Sequence, residues 1–265
     1  MTASPDHPSH IKPHVHVPYD KLDQYLSFIK EEQLNLEIYF GSRSCDSLQV
    51  SDMVELKKRL DYNPRLSIHA PFMDLSPGAV DLKVQEVTAS RFSDVLDYAE
   101  ILMPEVIVFH SGYEKWKYAR RADLWLEGSL ETWKPVKERA AAMGIKIAIE
   151  NIFEDEPDNL VLLMKEMASE HFGLCFDTGH FNLFSQLPLS EWLSVTRPYI
   201  KELHLHDNAR YADQHLALGN GDFDFKTLFS ELKGINCIYT IEAHSVESVK
   251  LSLERLPAYL ANSDR

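Results

Sequence analysis

Short apolar runs alternate along the chain with longer amphipathic stretches. The runs are HVHV at 14–17, LNLEIYF at 34–40, RLSIHA at 65–70, EVIVFH at 105–110, IKIAIE at 145–150, FGLCFD at 172–177, IKELHLH at 200–206 and CIYTIE at 237–242, and they read as eight strands. Between them, segments 20–32, 51–62, 84–102, 115–143, 158–169, 224–233 and 246–260 repeat apolar residues at three- and four-residue intervals, which predicts helices. Gly144 and Gly234, just ahead of strands five and eight, are placed to stop the preceding helices. Strict strand–helix alternation implies parallel strands, because parallel neighbours need a crossover, and that crossover is right-handed. Eight units in about 250 residues is the size of a (β/α)8 barrel. The expectation is therefore an α/β fold, a single (β/α)8 TIM barrel over 12–265 behind a flexible N-terminal tail at 1–11. A doubly wound sheet would carry a Gly-rich phosphate turn after its first strand; the sequence has none there.

The phase within the strands supports closure. In IKIAIE the isoleucines at 145, 147 and 149 share one face and Lys146, Ala148 and Glu150 the other; Tyr239 and Ile241 oppose Thr240 and Glu242, and Ile68 opposes Ser67 and His69. Since strand side chains alternate, the apolar face meets the helices and the other points into the barrel. In each case the last inward residue is ionisable.

Composition narrows the function. The 265 residues carry 41 acidic and 27 basic side chains, a net charge of −14 at pH 7, and Lys57-Lys58-Arg59 and Arg120-Arg121 are the only basic runs. Such a chain repels polyanions unless its basic residues gather on one face. Cys45, Cys175 and Cys237 are odd in number and far apart, as reduced thiols are. No apolar run reaches the roughly 20 residues of a membrane helix, and MTASPDHPSH lacks the apolar core of a signal peptide. A cytoplasmic protein without membrane contact is expected. The twelve histidines are unusual.

Barrel active sites form at the C-terminal ends of the strands. The residues there are His69, His110, Glu150, Asp177 with His180, His204 and Glu242, and the loop after strand seven adds Asp207, Asp213 and His215. Any one strand-end His is by default structural. Successive strands ending in His, Asp or Glu, however, would bury like-charged carboxylates together, which is costly without a cation. Mixed imidazole and carboxylate donors suit Zn, Mn, Fe or Co, whereas Mg and Ca prefer all-oxygen shells. Glu150, Asp177, His204 and Glu242 are read as metal ligands, and His69, His110, His180, Asp213 and His215 as ligands or substrate contacts. His204 and His206 face the same side of an extended strand, so spacing alone does not choose between them. Glu37 is expected to point inward in an ion pair. His14 and His16 are open between barrel floor and substrate contact, and Asn151 and Asn208 are candidate hydrogen-bond partners for substrate or ligands.

HAPFMDLSPG at 69–78, FHSG at 109–112, IEN at 149–151, FDTGH at 176–180, HLHDN at 204–208, DQHLALGNGDFDF at 213–225 and IEAH at 241–244 resemble the xylose isomerase-like TIM-barrel superfamily. That group includes sugar and sugar-phosphate isomerases and epimerases, inosose dehydratases and apurinic/apyrimidinic endonuclease IV. In its isomerase and epimerase branch the resemblance implies one divalent metal on Glu150, Asp177, His204 and Glu242, with His180 and His215 near the substrate. In its endonuclease branch it implies three zinc ions on those four plus His69, His110, His180, Asp213 and His215. The family pattern places the ligand of HLHDN at His204.

The favoured reading is a metal-dependent isomerase or epimerase of a sugar, sugar phosphate or related polyol, using one to three ions, Zn or Mn ahead of Co or Fe. Glu150 and Glu242 would exchange the substrate proton as base and acid, and His180 and His215 would orient hydroxyl groups. An endonuclease IV-like zinc phosphodiesterase acting on abasic DNA is the alternative; the complete ligand set favours it, and the −14 charge and lack of a basic stripe count against it. A barrel that keeps the pocket only for binding is a third reading. The partner is then a small carbohydrate rather than nucleic acid, with a homo-oligomer left open. Arg43, Phe72, Tyr113, Trp116 and Trp125 lie on loops that could contact substrate.

Overall fold

A computed structural model of the chain describes residues 11–262. All but one residue of the expected tail at 1–11 lies outside the described residues, as do His7 and His10; Ile11 is exposed and irregular. The strands are β1 (His14–Pro18), β2 (Asn35–Tyr39), β3 (Leu66–His69), β4 (Val106–His110), β5 (Lys146–Glu150), β6 (Phe172–Asp177), β7 (Ile200–Leu205) and β8 (Ile238–Ile241). They pair in sequence order, all parallel, and β1 closes on β8 through His14–Thr240 and Val15–Ile241. The single (β/α)8 barrel read from the alternation is the fold.

The helices are α1 (Leu22–Glu31), α2 (Ser42–Ser47), α3 (Val50–Arg59), α4 (Leu82–Leu102), α5 (Ala122–Ala142), α6 (Asp158–Met167), α7 (Thr178–Phe184), α8 (Leu189–Thr196), α9 (Phe225–Glu231) and α10 (Val246–Asn262). Seven answer to the amphipathic segments. The expected helix at 115–143 starts only at Ala122, because Ala119 and Arg120 take left-handed φ values of 49° and 63° that end any helical run before it. The crossover from β6 to β7 is two short helices, α7 and α8, split by the extended residues around Pro188, and the periodicity reading found neither. The six-residue α2 was also missed; one turn and a half carries too few apolar repeats to register. Gly144 and Gly234 stop their helices with φ of 74° and 80°.

Side-chain phase follows the sequence argument. Ile145, Ile147, Ile149 and Tyr239 join the main core between barrel and helices, whereas Val106, Val108, Ala148, Cys175 and Ile238 fill part of the barrel interior as a separate cluster. The rest of the floor is polar: His14 Nδ1 lies 2.9 Å from the Ser67 hydroxyl, which donates to Glu202 Oε1 at 3.1 Å, and Thr240 donates to the same oxygen. His14 is thus floor, and burial draws its pKa down to about 4.

The outer core is tightest around Trp133 of α5, fully buried against Phe92 of α4, Phe109 of β4 and Phe172 of β6 at ring separations of 4.9, 5.3 and 5.9 Å. Trp133→Ala is expected to cost about 3–5 kcal/mol of unfolding free energy, as large-to-small changes of buried aromatics do. Urea unfolding of the variant tests this, and a loss under about 1 kcal/mol would contradict the packing.

Candidate metal centre and active site

The ionisable residues expected at the strand ends converge at the C-terminal mouth of the barrel. His69, His110, Glu150 and Asp177 are the final residues of β3 to β6, His204 is the penultimate residue of β7, and Glu242 follows β8 directly. His180 sits in the first turn of α7, where its backbone N–H donates to Asp177 Oδ1 at 2.6 Å. The loop between β7 and α9 brings in Asp213 and His215. That loop is organised by the fully buried Asp207, whose two oxygens accept from the N–H groups of Asn208, Gly219, Gly221 and Phe223 at 2.9–3.1 Å. Gly221 is needed there because a Cβ would lie 2.3 Å from the Asn208 carbonyl oxygen. His215 itself is held at a left-handed φ of 47°.

His204 is the centre of the arrangement. Its Nδ1 is buried, has no hydrogen-bond partner, and lies 3.4 Å from Glu242 Oε1, 3.5 Å from Glu150 Oε2 and 3.7 Å from Asp177 Oδ2. Ligand bonds of about 2.0–2.2 Å in a tetrahedron put donor atoms about 3.3–3.6 Å apart, so the separations from His204 Nδ1 to Glu242 and Glu150 fall within that range and the one to Asp177 just beyond it. On its other side, His204 Nε2 donates to Glu37 Oε2 at 3.1 Å, so that once the ring gives up its second proton the Nδ1 lone pair faces the three carboxylates. Glu37 Oε1 in turn lies 2.9 Å from His16 Nδ1, and the same nitrogen is 3.0 Å from Glu242 Oε1. The four residues close a ring. Glu37 therefore makes the inward ion pair expected of it, and His16 belongs to the mouth, not the floor.

His206 also faces inward, as its two-residue spacing from His204 requires. Its Nε2 lies 3.0 and 3.1 Å from the oxygens of Asp177, and its ring stacks on His215 at 4.0 Å, which stacks on His244 at 4.6 Å. Gly179 makes room for it, since a Cβ there would fall 2.0 Å from the imidazole. His69, His110 and Glu150, and likewise His206, His215 and Glu242, have donor atoms close enough together for a cation. His69 Nε2 and His110 Nε2 lie 3.1 and 3.4 Å from Glu150 Oε2, and Asp213 Oδ2 lies 3.1 Å from His215 Nε2 and 3.5 Å from His180 Nε2.

A family model described as a xylose isomerase-like TIM barrel matches residues 36–260. The chain belongs to this family. It is 29% identical over 229 residues to the uncharacterised protein MJ1311 of Methanocaldococcus jannaschii, covering 83% of this chain and 78% of that protein. Among solved structures it is similar to a D-tagatose 3-epimerase-like protein at 27% identity and a TM-score of 0.81, covering 95% and 98% of the two chains. It is similar also to the TTHB071 protein of Thermus thermophilus, solved after soaking with ZnCl2, at 25% identity and a TM-score of 0.79 over the same shares.

In this xylose isomerase-like barrel seven of the nine expected residues line one cavity of about 910 Å3, and Asp177 and His204, fully buried, do not line it. Phe72 lies over His110 with rings 4.1 Å apart, and Phe72 and Tyr113 line the wall. Trp125 is instead buried packing whose indole donates to Ser111 O, Trp116 is exposed beneath the Arg120 guanidinium, and Arg43 is exposed away from the cavity wall. Asn151 and Asn208 do not face the cavity either: Asn151 exchanges two hydrogen bonds with the Asp177 backbone, and Asn208 donates to Gly179 O and accepts from Asn182 and the Arg210 N–H. They brace the β5, β6 and β7 ends. Among the described residues no helix is long and apolar enough to cross a membrane.

The electrostatics are those of acids compensated by imidazoles. Burial alone would raise the pKa of Glu150 and Glu242, but His110 and His204 beside the first, and His204 and His16 beside the second, hold both well below the usual carboxylate range. Burial opposes charging of His204 and His180, yet the surrounding acids raise both well above the usual imidazole value, and Glu242 and Glu37 raise His16 to about 10. At neutral pH the metal-free site thus holds protons that a cation must displace. Because the pKa values of His16, His180 and His204 are raised, affinity for added Zn is expected to climb with pH between about 6 and 8, up to tenfold per unit for each proton released. Calorimetry in buffers of different ionisation enthalpy measures the release; an affinity flat across that range would contradict the protonated cluster.

Proposed function

We propose that the chain is a divalent-metal-dependent isomerase or epimerase of a sugar or related polyol, with the ion held by Glu150, Asp177, His204 and Glu242. The observation that carries this is the buried, unpartnered His204 Nδ1 with three carboxylate oxygens from three other strands at 3.4–3.7 Å. The mixed nitrogen and oxygen donors suit Zn or Mn, with Co and Fe next. The likeness to a D-tagatose 3-epimerase-like protein and to a protein solved after a ZnCl2 soak supports substrate and ion alike. A bound ion would polarise vicinal oxygens of the substrate and acidify the carbon-bound proton between them.

The chain's own groups do the rest. Glu150 and Glu242 come from β5 and from the end of β8, and both line the cavity, so each can meet one face of a substrate carbon. One carboxylate, held ionised as a base requires, would remove the proton; the other would deliver a proton taken up from solvent to the opposite face, so the two end each turnover with exchanged protonation states. His180 and His215 line the same wall and would donate to substrate hydroxyl groups. Glu37 positions His204, fixing its tautomer in the manner of carboxylate–histidine–metal triads.

The proximity of His69 and His110 to Glu150, and of His206 and His215 to Glu242, would equally suit several zinc ions and phosphodiester cleavage. The cavity wall answers against a polyanion, since its only lysines, Lys21 and Lys117, are matched by Asp74 and Glu114 before the central acids are counted.

A screen of sugars, sugar phosphates and inositols with the Mn- or Zn-loaded protein in deuterium oxide should find metal-dependent incorporation of solvent deuterium at one carbon. Glu242→Gln is expected to fold and to slow that exchange by at least about 100-fold; exchange at the wild-type rate would remove Glu242 from the proton path. Cleavage of an abasic-site duplex at physiological salt, without exchange into any sugar, would replace this reading with the phosphodiesterase. Glu37→Gln should weaken Zn binding by about 10–100-fold with unchanged circular dichroism, and unchanged affinity would show that His204 needs no such support.

A further inference from the structure

The imidazole of His215 is caught between two others. His206, just past β7, lies on one face at a ring separation of 4.0 Å, and His244, two residues beyond Glu242, lies on the other at 4.6 Å; each pair of rings is inclined by only 14°. His206 is fully buried, while His215 and His244 line the cavity. The backbone of His215 does not fix this arrangement by itself. Its φ of 47° lies in the left-handed region, which a residue other than glycine keeps only where its surroundings hold it. Its partner within the loop, Asp213, has a side chain that is itself 40% exposed.

A ring clamped on both faces can act only through its edge. On that edge Nε2 lies 3.1 Å from Asp213 Oδ2 and Nδ1 lies 3.8 Å from Glu242 Oε2. The second separation is too long for a hydrogen bond, but an oxygen atom about 2.8 Å from each fits between them. His244 contributes the face of its ring to this arrangement. Across the mouth a residue that cannot ionise makes the same kind of contact, Phe72 lying on His110 at 4.1 Å and 17°. We propose that His244 is a positioning residue: by closing the outer face of His215 it holds the Nδ1 edge toward Glu242 and shapes a slot for one substrate hydroxyl beside that carboxylate. The hydroxyl in the slot rests on the metal-dependent reading above; the clamp on His215 rests on the stack alone.

Nuclear Overhauser contacts between the ring protons of His215 and His244 in the full-length, metal-free protein test the stack without any variant, and their absence would overturn it. In nitrogen-15-labelled protein, His244→Ala should replace the single set of His215 ring signals with a broadened or doubled one. His244→Phe, which keeps a flat ring without its nitrogens, should leave one sharp set, and circular dichroism of both variants should match the wild type. A sharp, single His215 in folded His244→Ala, or equal disturbance in His244→Phe, would overturn the clamp. With a sugar found by the deuterium-exchange screen, His244→Ala should lower the kcat of exchange about tenfold and His244→Phe should restore it to within about threefold. Wild-type exchange in His244→Ala beside a disordered His215 would keep the clamp and remove the hydroxyl slot. If no sugar exchanges at all, the metal-dependent reading falls, while the Overhauser contacts and the ring signals still decide the clamp.

Discussion

Four carboxylates, Glu37, Glu150, Asp177 and Glu242, are buried within a few ångströms of one imidazole, and the mouth of this barrel is built around that concentration of charge. Removing a carboxylate from water costs several kcal/mol even after relaxation, and neighbouring like charges add to it. The structure answers with imidazoles placed between the acids. His204 touches all four, His16 joins Glu37 to Glu242, and His180 joins Glu150 to Asp177 and Asp213. Under the proposed reading a divalent ion would take the place of those protons, since one ion at the unpartnered His204 Nδ1 would face three carboxylates at once. The stability of the mouth and its affinity for a cation would then be one property.

The floor beneath this cluster is divided in a way that keeps it rigid. One part is the apolar patch of Val106, Val108, Ala148, Cys175 and Ile238; the other is the chain His14, Ser67, Glu202, Thr240. Burial together with the nearby Glu37 charge raises the Glu202 pKa well above the usual carboxylate value. Its Oε1 accepts from both Ser67 and Thr240, which ties β3, β7 and β8 together beneath the ring of His204, Glu37, His16 and Glu242.

How much of this the sequence carries follows from the range of each interaction. The barrel was legible because strand phase and helix period are local, and IKIAIE or LSIH announces both its faces within a few residues. The strand-end acids and histidines were legible for the same reason, once the barrel fixed where strand ends must meet. The partners of those residues were not. Glu37 and His204 are 167 positions apart and meet only across the closed barrel, so nothing local distinguishes the Glu37 of NLEIYF as the support of His204. Asn151 and Asn208 look available in sequence because their partners, the Asp177 backbone at the end of β6 and Gly179 and Asn182 of α7, cannot be seen there. The helices α2, α7 and α8 fell below the length at which periodicity separates from chance, and Pro188 cut the last two apart.

Charge and shape together narrow what can enter. The acidic excess lies partly at the mouth and partly on the outer surface, where pairs such as Arg65–Glu105 and the Arg139 contacts with Asp97 and Glu100 are solvent-exposed and contribute little. That outer charge slows the approach of a polyanion over roughly a Debye length, about 8 Å at physiological ionic strength, but a neutral ligand does not feel it. Inside the cavity the weighting reverses: polar groups crowd the strand ends while valines and aromatic rings line the walls away from them. A polyol at the strand ends would meet acids and imidazoles that can exchange hydrogen bonds with its hydroxyl groups, and rings such as Phe72 and Tyr113 would cover its C–H faces, whereas a polyanion there would meet the same acids with no excess of lysines to offset them.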